Sequence, residues 1–452
     1  MTGDTERLAD RKPHCGPRRT IMSLSLSETV KRRALEAGFE LAGVAPADVW
    51  RDLEFSRQWV EAGYGGEMAY LANPKRYNPR LLLPSVQSVV CAGLIYNAPL
   101  PYSTGVQPEC GATVPKPRGG QSRAWISRYA WGTDYHEVMR SKLDQLRKEI
   151  EALAPRVATR VYVDTGPVVE RAFARYSGMG WTGKNTCLIN ESKGSWFFLG
   201  VILTNLMIQP DLPAFDRCGS CTRCLEACPT GALVEPYVMD ASRCVAYLTI
   251  ELKGSIPEPL RTGVGSNVFG CDICQDVCPW NSPHPTARES GSDWRRGAAV
   301  TRAPEFLPRE VDIPSNMGAE PADCERETFG SFLAARDGGA TSATAPESAN
   351  RLRPDTWNRI PSPARFSLFN PPLRALALLS EQDFRGAFFR SPVKRAKYRG
   401  WLRNLCVAMG NSADRNFIPW LERASEHADP VVREHARWAL GRLQGAASPV
   451  DG

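Results

Sequence analysis

No stretch of this 452-residue chain reaches the roughly 18 consecutive apolar residues of a membrane-spanning helix, so no transmembrane segment and no membrane partner are expected. Residues 1–21 hold Arg7, Arg11, Lys12, Arg18 and Arg19 without an apolar stretch, which excludes a secretory signal. Residues 1–22 read instead as a disordered basic tail, and Met22 could be the true start. There is no P-loop, no H-E-x-x-H and no Ser-His-Asp set. Gly178, Gly180 and Gly183 do not make a dinucleotide fingerprint, because their spacing is wrong and no strand precedes them. What remains is 42% hydrophobic and 23% charged residues, ordinary for a soluble protein of about two to four domains.

Cysteine is in surplus, and it is grouped. Eight of the 14 fall in two bursts. Cys218, Cys221, Cys224 and Cys228 stand in C-G-S-C-T-R-C-L-E-A-C-P; Cys244 is followed by Cys271, Cys274 and Cys278 in G-C-D-I-C-Q-D-V-C-P. C-x2-C-x2-C-x3-C-P holds two [4Fe–4S] clusters in bacterial ferredoxins, where three close thiolates cap one cubane and the fourth crosses to its neighbour. Cys278 is therefore expected to complete the cluster of Cys218, Cys221 and Cys224, and Cys228 that of Cys244, Cys271 and Cys274. The second burst reads C-x2-C-x3-C-P, with its remaining ligand displaced to Cys244 by a loop insertion. Zinc also takes paired C-x2-C, but leaves the two C-P endings and a third thiolate without a role. Cysteines grouped for metal, with no export signal, point to the cytoplasm. Cys91 and Cys187 lie in apolar strands and read as buried thiols, while Cys15, Cys110, Cys324 and Cys406 have no partner spacing.

Along the chain, strands alternate with helices over residues 23–210, which suggests an α/β domain. A helix over 27–40 is capped by Ser27 and stopped near Gly38, and the strand L-A-G-V-A follows. Ser88–Ile95 is a continuous apolar run of buried-strand length, 158–163 is a strand ending at Asp164, and 196–203 is another. Residues 135–153 have helical periodicity, and 99–121 is a Gly/Pro-rich surface loop. Residues 211–290 have the turn density of a small two-cluster domain. Residues 291–364, with G-G-A-T-S-A-T-A-P-E-S-A-N, form a partly disordered linker or insertion. Residues 365–445 turn helical: one helix over 391–409, a second capped by Asp414, and a third opened by Asp429–Pro430 with Val432, Ala436, Ala439, Leu440 and Leu443 inward. This pairing looks like a HEAT-type unit.

Net charge is +7, and residues 351–452 alone carry 17 Lys/Arg against 9 Asp/Glu. Such an end is a footprint for a polyanion, or else a solvated arginine-rich face. On a continuous helix Arg395, Arg399 and Arg403 share one face, as do Lys394 and Lys397. Farther upstream, Asp164 sits where a strand ends and a Gly-Pro turn opens a helix, a position that serves either chemistry or capping. The glycines that follow let the backbone pass close to something bulky, and Lys184 and Asn185 offer polar contacts. Asp134-Tyr135-His136 echoes the D-x-H-x-x-G motif that supplies a histidine to cobalt. Met139 stands where the glycine should be, so His136 reads as structural.

Taken together, G-Y-G-G-E-M-A-Y-L (63–71), N-P-R-L-L-L-P (78–84), S-R-Y-A-W-G-T-D-Y-H (127–136), V-D-T-G-P-V (163–168), G-W-T-G-K-N-T-C-L-I (180–189), both cysteine bursts and K-R-A-K-Y-R-G-W-L-R-N (394–404) resemble the epoxyqueuosine reductases over most of residues 23–445. That resemblance implies an α/β cobalamin-binding domain, a bacterial-ferredoxin-like domain with two [4Fe–4S] clusters, and a C-terminal all-α HEAT-like repeat that binds tRNA. It implies electrons passing from a small donor protein, such as flavodoxin or ferredoxin, through the clusters to base-off cobalamin, which removes the epoxide oxygen of the wobble base. Asp164 falls on the family's proton donor, and an acid working near neutral pH is expected to have a raised pKa. Cobalamin contacts fall on Arg76, Ser127, Arg128, Asp164, Lys184, Asn185 and Thr249. Lys394, Arg395, Lys397, Arg399 and Arg403 are the expected tRNA contacts. The 99–121 loop and the 310–364 segment are longer than the family pattern. Two other readings compete. A corrinoid reductive dehalogenase-like enzyme shares the cofactors, but usually carries a twin-arginine export signal and has no use for a basic helical end. A non-catalytic iron–sulfur electron-transfer protein leaves the first 200 or so residues idle.

Overall fold

The computed structural model of the protein describes residues 25–106, 122–281, 299–312 and 365–445. The basic tail, most of the 99–121 loop and most of the 291–364 insertion lie outside these residues, as do Cys15, Cys110 and Cys324. The first helix, α1 (Leu26–Glu36), is capped by Ser25 rather than Ser27. Ser25 has glutamate three residues on: its hydroxyl accepts from the Glu28 N–H, and the Glu28 carboxylate accepts from the Ser25 N–H in return. Ser27 has Val30 at that distance, and Val30 is core.

Four strands form the central sheet: β1 (Leu41–Pro46), β2 (Ser88–Ile95), β3 (Thr159–Tyr162) and β4 (Phe197–Thr204). Their order is β1-β2-β4-β3 and every ladder is antiparallel. Strand–helix alternation ordinarily goes with a parallel sheet, and here it does not. The crossover from β2 to β3 runs through α3 (Tyr135–Glu151) and carries β3 to the far edge, and β4 then enters between them. The apolar run of β2 has a simple cause, since both of its faces are covered. Val90, Ala92 and Leu94 face α1 and α3, meeting Val30, Met139, Leu143 and Leu146. Val89 and Cys91 face the other layer, where α2 (Trp50–Glu61) gives Leu53 and α4 (Glu170–Tyr176) gives Phe173. Each large apolar side chain, wholly buried, contributes roughly 1.5–3 kcal/mol. Cys91 is a buried thiol as read, pushed up to about 12 by burial.

The cluster region joins this domain through a buried carboxylate. Asp272 accepts hydrogen bonds from Trp125 Nε1 (2.9 Å), Ser127 Oγ (2.5 Å) and the Arg128 N–H (2.8 Å). Next to it Asn267–Phe269 pairs in parallel with Trp125–Ile126. Two short helices, α5 (Val245–Ile250) and α6 (Glu258–Val264), complete the region.

The helical end comprises α7 (Leu373–Ala377), α8 (Glu381–Ala387), α9 (Lys397–Asn411), α10 (Ile418–Ala424) and α11 (Pro430–Gly445). The expected single helix over 391–409 is two pieces, a 3-10 turn over Pro392–Ala396 and then α9. Lys397 breaks it with φ +58°. Arg395, Arg399 and Arg403 therefore do not share a face. Arg403 is 1% exposed and donates to the carbonyls of Leu248, Leu252 (2.9 Å) and Gly254 (2.7 Å), while Asn404 Nδ2 donates to Thr249 O and Val268 O. These residues clamp α9 onto the cluster region, so the assignment of Arg403 to tRNA is corrected. Of the motif's basic residues Arg403 is interior, whereas Lys394, Lys397 and Arg399 are exposed and Arg395 is half-buried. Arg403→Ala should cost about 2–4 kcal/mol by orphaning buried carbonyls. Thermal unfolding will check this.

Candidate active site and cluster-binding site

At the end of β3 the chain turns at Asp164, which adopts φ +48°. A non-glycine residue held there is a strained position, often found where function over-determines the backbone. Asp164 Oδ2 accepts from Tyr135 Oη at 2.7 Å and lies 3.3 Å from His136 Nε2 and 3.9 Å from Arg395 Nη1. The other His136 nitrogen, Nδ1, lies 2.7 Å from Asp134 Oδ1, and Asp134 also caps α3. The Tyr135 ring is fixed against Phe198 of β4, stacked at 4.3 Å. His136 is thus held between two carboxylates, with both ring nitrogens taken up inside the protein.

The electrostatics follow. Burial alone would raise the Asp164 carboxyl, but the hydrogen bonds of His136 and Tyr135 and the charges of His136 and Arg395 bring it down to about 2. Burial alone would lower the His136 ring, but Asp134 and Asp164 raise it to about 9. The raised pKa expected of Asp164 is on His136 instead. At neutral pH the proton sits on the imidazole and Asp164 is a carboxylate, half exposed. Behind it, Glu170 is pushed up to about 7 by burial and the Asp164 charge, and its Oε1 has no hydrogen-bond partner among the described residues.

Two cavities flank this corner. One, of about 700 Å³, is lined by Tyr135, His136 and Thr165 on one wall and by Phe389, Lys394, Arg395 and Lys397 on the other. The second, of about 540 Å³, lies beyond Arg76, whose Nη1 donates to Gly166 O at 3.2 Å. Of the expected cofactor contacts, only Arg76 lines this second cavity. The Ser127 hydroxyl is given to Asp272. The Arg128 guanidinium is fully buried, donates to the carbonyls of Ala98, Leu100 and Pro101, and lies over Trp131. Thr249 Oγ1 donates to Val245 O and accepts from the Gly270 N–H. Lys184 Nζ donates to Gly219 O and Cys221 O, and Asn185 Nδ2 to Cys274 O. The side chains of these five residues build the frame, because buried polar groups have been matched to internal partners. Lys184 and Asn185 pin one cysteine loop each. The bulk met by Gly180 is also internal: a Cβ there would come within 2.2 Å of Ile189 O.

The eight cysteines sort into two groups. Cys218, Cys221, Cys224 and Cys278 line one cavity of about 260 Å³ with Trp280. Cys278 is pushed up to about 12 by burial, with Cys218 and Cys224 among its electrostatic neighbours. Cys271 is raised by burial and by Cys244 and Cys228, and Cys274 is raised by Cys187, burial, Cys271 and Cys244. Cys278 thus lies with the cysteines of the first burst, and Cys228 is an electrostatic neighbour of Cys244 and Cys271. Cys187, read as a buried thiol, abuts Cys274.

Residues 217–281 match the 4Fe-4S double cluster binding domain, and residues 76–165 match the family described as epoxyqueuosine reductase QueG, DUF1730. An epoxyqueuosine reductase of Vibrio cholerae is 38% identical over 94% of this chain and 94% of its own length. One from Pseudomonas aeruginosa is 36% identical over 92% and 94%. The chain belongs to the epoxyqueuosine reductase family. A solved epoxyqueuosine reductase with an epoxyqueuosine-modified tRNA stem loop superposes with TM-score 0.65 at 27% identity, covering 92% of this chain and 90% of that one.

In this family member, sequence reasoning misses Tyr135, Glu170 and the placement of His136 beside Asp164. The one signal for His136 is the D-Y-H triplet, which the missing glycine discounts. If the sulfurs group as the fold brings them together, Cys228→Ser will remove the cluster held with Cys244, Cys271 and Cys274 and spare the other. Iron per chain should fall from about eight toward about four. Iron analysis with electron paramagnetic resonance of the reduced protein checks it.

Proposed function

We propose that this chain reduces epoxyqueuosine to queuosine at the wobble position of tRNA. The observation that carries the proposal is the cavity that His136 and Thr165 line together with the basic segment 392–398, with Asp164 bonded to His136 at its edge. The net change adds two electrons and two protons to the epoxide and releases its oxygen as water. On this reading Asp164 is the group the substrate oxygen meets, and His136 Nε2 keeps the proton that passes through Asp164 Oδ2. Tyr135 holds the carboxylate in place, and Arg395 keeps it ionised between turnovers. Asp164 remains the proposed catalytic acid, with its proton stored on the neighbouring ring.

Cys218, Cys221, Cys224 and Cys278 would hold one [4Fe–4S] cluster and Cys228, Cys244, Cys271 and Cys274 the other; the two would supply single electrons, and a small donor protein, flavodoxin or ferredoxin, would be their source. The 540 Å³ cavity suits part of a large amphipathic macrocycle: Phe55, Trp59, Tyr77 and Trp181 give apolar walls, and Arg76 gives a cation for a phosphate-bearing tail, whereas Arg175 is paired with Asp52 at 3.0 Å. Bound there, cobalamin would supply a strongly reducing cobalt centre. Arg76 would hold the cofactor's rim and, through Gly166 O, the Asp164 loop as well. The helical end, as a HEAT-like unit, would carry tRNA chiefly on Lys394 and Lys397, since Arg395 is paired with Glu251 (2.7 Å) and faces Asp164. Arg399 is paired with Asp429 (2.6 Å) and bound to Lys253 O, so its share in phosphate binding would be smaller. A tRNA substrate places the work in the cytoplasm.

Activity and binding both test this. Because the raised group is a histidine, the donor is loaded below its pKa. The rate should hold through neutral pH and fall as pH rises through about 9, a limb that His136→Gln abolishes along with most activity. Asp164→Asn should lose about 10²–10⁴-fold in turnover while both clusters remain. Lys394→Glu with Lys397→Glu should weaken tRNA binding and flatten its log–log salt slope by about 0.7–0.9 for each phosphate no longer neutralised. Full activity in Asp164→Asn, or binding indifferent to salt, would count against the reading.

A further inference from the structure

Phe389 is 67% exposed, and nothing in the core requires it. Its neighbours Phe384 and Phe388 are buried and pack on Trp401 at 5.4 and 5.1 Å, which completes that core without it. Phe389 instead borders the 700 Å³ cavity, with Lys394 and Lys397 in the same lining. An exposed aromatic face rimmed by cations is how proteins take single-stranded nucleic acid: the ring stacks a base, and the cations meet the backbone.

The turn that carries Phe389 is tied to the reacting corner. Arg390 adopts φ +52°, its carbonyl accepts from the Asp134 N–H at 2.8 Å, and its guanidinium pairs with Glu137. Phe389 O in turn accepts from Arg309 Nη1 at 3.0 Å. The aromatic ring and His136 are therefore mounted on one anchored unit, since Asp134 also holds the His136 ring. The charges around it are selective. Arg385 is paired with Glu381, and Lys394 lies 3.8 Å from Asp134. Lys397 has no ion pair among the described residues and can meet an anion.

We infer that Phe389 is a stacking platform for a nucleobase adjoining the wobble nucleotide, fixing the anticodon loop while the modified base reaches Asp164. The inference rests on the tRNA reading and extends it to a base that is not itself reduced. A base stack at such a site is worth roughly 5- to 150-fold in affinity.

The test uses the full chain and an anticodon stem-loop with 2-aminopurine on either side of the wobble position. The expected result is fluorescence quenching on binding to wild type at one of the two positions. Phe389→Ala should lose the quenching and bind about 5- to 150-fold more weakly; Phe389→Trp should keep both. Cluster absorption unchanged in the variants reports an intact fold. Equal affinity and quenching in Phe389→Ala would overturn the inference, as would Phe389→Leu binding like wild type, since an apolar contact would then suffice. A wild-type chain that fails to bind the stem-loop at all would overturn the tRNA reading and this inference with it.

Discussion

The carboxylate of Asp272 is the point at which the two halves of the site are fixed to each other. It stands between Cys271 and Cys274, and its oxygens are taken up by Trp125, Ser127 and the Arg128 backbone. A buried charge is tolerated only with such partners, so the cluster loop has one seat. Because Ser127 and Arg128 lead directly into the turn before Asp134, the same contact sets where His136 stands. The guanidinium of Arg128, wrapped by three carbonyls and the ring of Trp131, braces the opposite side.

A second clamp closes the arrangement from the helical end. Arg403 and Asn404 tie α9 to Leu248, Thr249, Leu252 and Val268, and Arg261 of α6 pairs with Glu434 of α11. His435 is buried beside it; burial lowers its ring to about 4, so it stays neutral and accepts from the Ile256 N–H. The 392–398 segment can then project over the reacting corner as a rigid wall. Division of labour within one basic motif follows from this: Lys394, Arg395 and Lys397 face the cavity, whereas Arg403 is structural.

The acid–base pair has a corresponding logic. A lone buried aspartate would be raised and would carry its own proton. Here a histidine between two carboxylates is the more basic group, which in the proposed reaction would separate the proton store from the atom that meets substrate. Neutral Tyr135 adds a donor without adding charge, and Glu170, itself raised to about 7, lies behind Asp164.

Spacing and periodicity are readable from the chain before it folds. The double-cluster domain is legible in C-x2-C-x2-C-x3-C, and the expectation of crossed ligands comes from three close thiolates capping only one face of a cubane. The buried strand Ser88–Ile95 follows from its unbroken apolar run, and the helices of the end domain from three- and four-residue steps. Asp164 was legible as a strand-end residue before a Gly-Pro turn. Charge state and exposure came from folding, since they are properties of a residue's neighbours and not of its letter. It placed Arg403 and Arg128 inside, opened the helix at Lys397 and ran the sheet antiparallel. It also moved the raised pKa from Asp164 to His136, because two carboxylates distant from each other in sequence converge on one imidazole ring.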